Sequence, residues 1–167
     1  MRHTGPMSAD PTGTGEERAL GAMTAARLDH RVVRHGRVGS LAEAAVARGV
    51  TEQDVIKTIV VRRGDDDFLF ILVPGDRTIS WPKLRALLGV SRLSMPDAAT
   101  ALAATGFERG TITPFGSTRA WPVIADERIR GREISLGAGA HGVAAIVDAD
   151  AAITALGATV ADVTDPE

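Results

Sequence analysis

The chain has 167 residues and a formal net charge of −2, with 44% hydrophobic and 24% charged residues, the balance of one soluble globular domain with a substantial core. It contains no cysteine, which excludes a disulfide framework, a thiol nucleophile and a cysteine-ligated metal site. No apolar run approaches the roughly 20 residues of a membrane span, and the near-neutral charge gives no whole-protein field for nucleic acid, although Arg62, Arg63, Arg128, Arg130 and Arg132 come in local clusters.

Residues 1–15 lack the apolar segment of a signal peptide and are expected to form a flexible tail, with one domain over 16–167 and a cytoplasmic location. Leu20, Met23 and Leu28 recur at helical spacing and predict a helix within 16–28. HRVVRH (30–35) reads as a short strand. Ser40 and Glu43 make an S-x-x-E capping box, opening a helix that Gly49 can end, and Thr51 to Asp54 repeats the pattern for one turn. DVIKTIVVRR and DFLFILVP, separated by Gly-Asp-Asp, predict a β-hairpin.

Ser80 caps the next helix, with Pro82 in its first turn and Gly89 behind it. Asp97 to Thr105 is alanine-rich and helical, halting at Gly106. AWPVIA, REISL and VAAIVD read as strands; Asp148 caps a last helix through Leu156, stopped by Gly157, before a final strand ATVADV. Strands and helices interleave without a strict βαβ repeat, which predicts an α+β fold: a single domain with a mixed β-sheet and flanking helices.

Three features stand outside this scaffold. Of the 19 basic residues only Lys57 and Lys83 are lysines, so a lysine inside DVIKTIVV is either a snorkelling strand-edge side chain or a functional cation. GTITPFG (110–116) has little helical or strand logic; it is either a turn or a rigid backbone surface on which a ligand docks. GAGAHG (137–142) is a literal G-x-G-x-x-G with Asp162 about 20 residues on, the letters of a dinucleotide-binding oxidoreductase. That fingerprint requires a helix directly after it, however, and VAAIV reads as a strand. A hairpin turn or a glycine wall facing a ligand fits the loop better. His3, His30, His35 and His141 show no metal-ligand spacing, and no G-x-S-x-G elbow or P-loop occurs, so no metal or cofactor is expected.

In this order, VIKTIVV, TGFERGTITPFG, PVIADE and GAGAHG resemble the YbaK/EbsC family, which includes the editing domain associated with prolyl-tRNA synthetase; the match runs over roughly residues 25–164. The resemblance implies an aminoacyl-tRNA deacylase acting on mischarged tRNA, cysteinyl- or alanyl-tRNA for proline, with the tRNA acceptor end and prolyl-tRNA synthetase as partners. It implies Lys57, Gly110, Pro114 and Asp126 as catalytic positions, and Thr58, Thr113, Phe115, Gly116, Gly139, His141 and Gly142 as substrate contacts. Thr58 matches the residue beside the lysine in cysteine-removing relatives. Gly137, Ala140 and His141 stand where the family often has a serine and two basic residues, and this chain has no tyrosine for the aromatic that some relatives carry on the first strand. A catalytically silent relative that binds tRNA or an aminoacylated nucleotide would share every one of these motifs.

Overall fold

The computed structural model describes residues 13–167; the remainder of the expected tail, residues 1–12, lies outside the described residues. The described chain begins with a capping box. Thr14 Oγ1 accepts from the Glu17 amide at 3.1 Å and the Glu17 carboxylate accepts from the Thr14 amide at 3.0 Å, opening helix α1 (Gly15–Ala25). Strand β1 (His30–Arg34) leads to α2 (Leu41–Arg48), which Ser40 caps and Gly49 ends in the left-handed conformation. A 3-10 turn (Glu52–Asp54) then hands the chain to β2 (Lys57–Gly64) and β3 (Asp67–Val73).

The remaining elements are β4 (Arg77–Ile79), α3 (Trp81–Leu88), α4 (Ala98–Thr105), β5 (Val123–Asp126), β6 (Glu133–Gly137), β7 (Val143–Asp148), α5 (Ala149–Leu156), β8 (Thr159–Ala161) and β9 (Thr164–Pro166). Ser80, Asp97 and Asp148 cap α3, α4 and α5 as their side-chain chemistry predicts. The expected final strand over 158–163 is shorter than its apolar pattern. It breaks after Ala161, and the chain re-enters a sheet only at Thr164, because Asp162 turns away to bind Arg128 and Lys83.

The fold is α+β. An antiparallel sheet orders β1-β7-β6, a mixed sheet orders β2-β3-β5-β8, and β4 pairs with β9. Within the mixed sheet β2 and β3 form the expected hairpin, while β5 runs parallel to β3 and β8 parallel to β5. Strand β3 is apolar from Phe68 to Val73 because both of its faces are covered there. Phe68, Phe70 and Leu72 join the larger core with Trp121, Ile134 and Leu136, and Leu69, Ile71 and Val73 join a second core with Ile79, Leu84 and Val163. Each such side chain contributes on the order of 1.5–3 kcal/mol on burial. Strand β2 holds an edge of this sheet, and at its start Ile56 donates to the Ser135 carbonyl of β6 at 3.0 Å. That bond stitches the two larger sheets together, and the seam is where the candidate site opens.

Candidate active site

A cavity of about 570 Å³ lies along the seam. Its walls are mostly apolar: Val55, Ile56 and Val60 from β2 and the turn before it, Met95, Pro96 and Ala101 from α4 and its approach, and Ile112. Volume and lining are those of a small-molecule or ligand-end site. Gly110 and Gly137 supply bare backbone to the wall, and Lys57, Thr58, Arg48 and Arg109 supply polar groups.

Strand geometry separates the two neighbouring candidates on β2. Side chains alternate, so Thr58, opposite Leu72, faces the larger core and the cavity, whereas Lys57, opposite Val73, belongs to the other face. Lys57 contributes to the cavity edge, but its ammonium donates to the Arg77 carbonyl and sits 3.6 Å from the Glu167 carboxylate. Thr58 presents the complementary picture. Its Oγ1 is buried and has no hydrogen-bond partner among the described residues. An unmet buried hydroxyl on a cavity wall is uncommon, because leaving it unpaired costs about 1–3 kcal/mol.

The structure divides the stretch GTITPFG. Gly110 and Ile112 line the cavity, but Thr113, Pro114, Phe115 and Gly116 are buried beyond it and do not. Gly116 lies against the backbone of α1, where an added Cβ would stand 2.4 Å from the Arg18 carbonyl oxygen. Arg18 in turn donates to the Gly116 carbonyl at 3.3 Å and stacks on Phe107, 4.9 Å from its ring centroid. Half of the stretch is therefore a wall of the cavity and half is an anchor for the first helix.

The second glycine stretch is the β6–β7 hairpin turn, and β7 follows it where a dinucleotide site would need a helix; the oxidoreductase alternative fails on that point. The turn reaches the first loop and β1 by its backbone: Gly139 donates to the Thr111 carbonyl at 3.1 Å, and Gly142 accepts from the His35 amide at 2.9 Å. Of its residues Gly137 alone lines the cavity; Gly139 and Gly142 act as packing contacts. His141 is exposed, close beside Gly110, with its Nε2 3.7 Å from Glu108. It is a rim residue, not a wall residue.

Asp126 is placed elsewhere. It is fully buried at the end of β5, where Oδ1 accepts from the Val163 amide at 3.2 Å, the Thr164 hydroxyl at 3.0 Å and Arg128 Nη1 at 3.0 Å, and Oδ2 accepts from the Arg128 amide at 3.2 Å. Every lone pair has a partner, and the residue does not line the cavity. Its work is to fasten the C-terminal segment to the mixed sheet. The resemblance implies a catalytic role for Asp126; in the fold its carboxylate is taken up by Arg128, Val163 and Thr164, partners that the sequence does not place beside it.

Arg48 was not singled out in the sequence, since a basic residue in the last turn of a helix ordinarily complements the helix dipole. Here its guanidinium leaves α2 for the cavity wall, donating through Nε to His35 Nε2 at 3.3 Å and through Nη1 to Ser135 Oγ at 3.0 Å. Burial pushes its pKa below the ordinary arginine value. At the rim, Asp97 is held below the usual carboxylate range by the Thr100 amide that it caps. Among the described residues no cluster of histidine, aspartate and glutamate could hold a metal ion, and no helix is long and apolar enough to cross a membrane.

Two glycine loops and an edge strand thus surround a pocket whose walls carry a hydroxyl, two guanidiniums and bare backbone, with no nucleophile–base pair. Comparison with known proteins gives this geometry a family. Residues 35–154 match the model of the aminoacyl-tRNA editing domain. Among similar curated proteins, a proline–tRNA ligase of Thermosipho africanus is 32% identical over 93 residues, which cover 56% of this chain and 16% of the ligase. A proline–tRNA ligase of Halalkalibacterium halodurans is 31% identical over 103 residues, covering 62% of this chain and 18% of the ligase. The matches thus span less than a fifth of either relative. A crystal structure of a proposed trans-editing enzyme for prolyl-tRNA synthetase shares the fold at TM-score 0.82 and 24% identity, covering 92% of this chain and 98% of that one. A scaffold protein from an epitope-grafting design study is similar at TM-score 0.79 and 25% identity, with 92% and 96% covered. The chain belongs to the aminoacyl-tRNA editing domain family.

Proposed function

We propose that this chain hydrolyses the ester of a mischarged tRNA, cysteinyl- or alanyl-tRNA for proline, with the acceptor end entering the cavity at the sheet seam. The observation that carries the reading is the pairing of an apolar-walled cavity large enough for a ligand end with polar groups that bind but do not attack: Thr58, the Gly110 backbone and, at the edge, Lys57.

An aminoacyl ester is already activated, so the reaction needs a positioned water and donors for the developing oxyanion more than a protein nucleophile. Water adds through oxygen to the ester carbonyl carbon, and the bond to the ribose oxygen breaks. That oxygen takes a proton, leaving a free amino acid and a tRNA with its terminal hydroxyl restored. A neighbouring ribose hydroxyl can assist the water. Glycine backbone offers N–H groups at fixed positions without a titrating side chain, and Lys57 supplies positive charge to the ester or an adjacent phosphate once it leaves the Arg77 carbonyl.

Incubation with a panel of mischarged tRNAs, following release of the amino acid, tests the proposal. Faster release from cysteinyl- or alanyl-tRNA for proline than from the prolyl form supports it. Binding of these tRNAs with no release would instead support a silent relative that recognises the acceptor end.

A further inference from the structure

The guanidinium of Arg48 differs from most of the chain's other part-buried or bridging arginines. Arg34 meets Glu16 at 2.6 Å, Arg63 meets Asp67 at 3.0 Å, Arg128 meets Asp162 at 2.8 Å and Arg132 meets Asp54 at 2.6 Å. Among the described residues, Arg48 has no carboxylate within 4.0 Å. Its partners are neutral: the Ser135 hydroxyl accepts from Nη1, and His35 Nε2 accepts from Nε. The histidine can do so only as the Nδ1–H tautomer, and its Nδ1 lies 2.8 Å from the Gly36 carbonyl, an acceptor that demands that proton. His35 thus fixes the guanidinium and offers it no charge. Nη2 has no hydrogen-bond partner among the described residues.

A partly desolvated cation is costly unless an anion meets it, and the open side of this one is the cavity. A guanidinium held through one edge keeps its remaining N–H groups in a planar fork that suits two oxygens of one anionic group. We propose that Arg48 is an anion-binding residue of the cavity and takes an oxyanion of the substrate. Two sources share that chemistry, the phosphodiester next to the terminal nucleoside and a carboxylate on the esterified amino acid's side chain. The inference rests on the reading of this cavity as the site of the aminoacyl ester. His35 acts as a positioning residue for Arg48, held in turn by the hydrogen bond that its backbone N–H donates to the Gly142 carbonyl.

The test compares wild type with Arg48→Gln and Arg48→Lys, each checked for folding by thermal melt. One arm measures equilibrium binding of adenosine 5′-monophosphate and of adenosine. A phosphate source predicts that wild type prefers the monophosphate by at least about tenfold, the scale of one charge-assisted hydrogen bond, that Arg48→Gln removes the preference, and that Arg48→Lys keeps part of it. The other arm compares hydrolysis of phosphate-free adenosine esters of aspartate and of alanine. A carboxylate source predicts faster cleavage of the aspartyl ester by wild type and loss of that preference in Arg48→Gln. The first arm reads binding alone, so absence of ester hydrolysis counts against the proposed function without deciding the role of Arg48. A folded Arg48→Gln that leaves both preferences as in wild type, or a wild type that shows neither, overturns the inference; a shift in melting temperature alone would mark Arg48 as structural.

Discussion

Lys57 Nζ lies 3.6 Å from the Glu167 carboxylate, on the face of β2 opposite the Thr58 hydroxyl. The pair is exposed, with 37% and 64% of the two side chains accessible, and such pairs are worth only about 0.2–1 kcal/mol. The ion pair therefore holds Lys57 lightly, and a turn towards an arriving ester or phosphate must also give up its hydrogen bond to the Arg77 carbonyl. We expect Lys57→Ala to lose at least ~2 kcal/mol of transition-state stabilisation on mischarged tRNA, and Lys57→Arg to rescue poorly because a planar fork does not replace a compact ammonium. Glu167→Gln should leave kcat/KM within about threefold. Steady-state deacylation by the three variants decides the matter. Wild-type rates in a folded Lys57→Ala protein would remove the lysine from the mechanism.

Local signals carried far in this chain. The Val- and Ile-rich runs around Gly-Asp-Asp form the β2–β3 hairpin, and Ser40, Ser80 and Asp148 are helix caps as read from the sequence, while Asp97, read as the start of a helix, caps it from outside. What stayed hidden depends on pairings distant in sequence. Strands β4 and β9 are three residues each and exist only because Thr78 finds Asp165. The division of GTITPFG between wall and anchor depends on Arg18 of α1, almost a hundred residues earlier. Arg48 is illegible in the sequence for a related reason: its identity suits a helix end, and only the folded seam shows that it has no counter-charge among the described residues.

That division makes a second prediction. Gly110 (φ +87°) and Gly116 (φ +81°) both sit in the left-handed region, where a Cβ costs on the order of 1–2 kcal/mol. They differ in what that Cβ would meet. At Gly110 it meets the exposed, movable His141 ring at 3.2 Å, but at Gly116 it meets the backbone of Arg18 at 2.4 Å. Gly110→Ala should lower the melting temperature by only a few degrees while reducing deacylation at least about tenfold. Gly116→Ala and, to a smaller extent, Pro114→Ala should lose stability first, with activity falling in step. Melts and rates on the same samples give the answer; if Gly110→Ala also loses activity only through unfolding, its loop is a turn and nothing more.

The C-terminal fastening predicts a pH dependence. Hydrogen bonds from Arg128 and Lys83 hold Asp162 below the usual carboxylate value, at about 2 instead of 3.8. A carboxylate whose pKa is depressed in the folded state contributes stability that is fully present above its unfolded pKa and is lost as the proton binds. The contribution should therefore stand above about pH 4 and disappear as pH falls towards 2. Asp162→Asn should melt below wild type at neutral pH, and the gap should close across that acid window. A gap that stays constant from pH 7 to about pH 2 would show that the asparagine acts through packing and not through charge.

Specificity follows from what the cavity wall offers. On the proposed reading, Ile56, Val60, Met95 and Ala101 would select the ester's side chain by size and shape, and an apolar wall of that kind separates neighbours in size by only ~1–3 kcal/mol. Clearing a small residue while sparing the prolyl ester lies within that range; telling cysteine from alanine needs more. Beside Lys57, β2 brings to this cavity the Thr58 hydroxyl, which has no hydrogen-bond partner among the described residues and, once uncovered by a bound ester, could add a directional contact, for instance to a substrate thiol. Thr58→Val keeps the shape and removes the hydroxyl. Because that hydroxyl has no partner among the described residues, stability should hold within about 1 kcal/mol or rise. Wild type should cleave cysteinyl and alanyl esters on tRNA for proline faster than the prolyl ester, with cysteinyl ahead, and Thr58→Val should bring cysteinyl down to the alanyl rate. Parallel single-turnover assays on the three esters measure both effects. Fastest cleavage of the prolyl ester would refute selection by size, and an undiminished cysteinyl preference in Thr58→Val would take Thr58 out of substrate recognition.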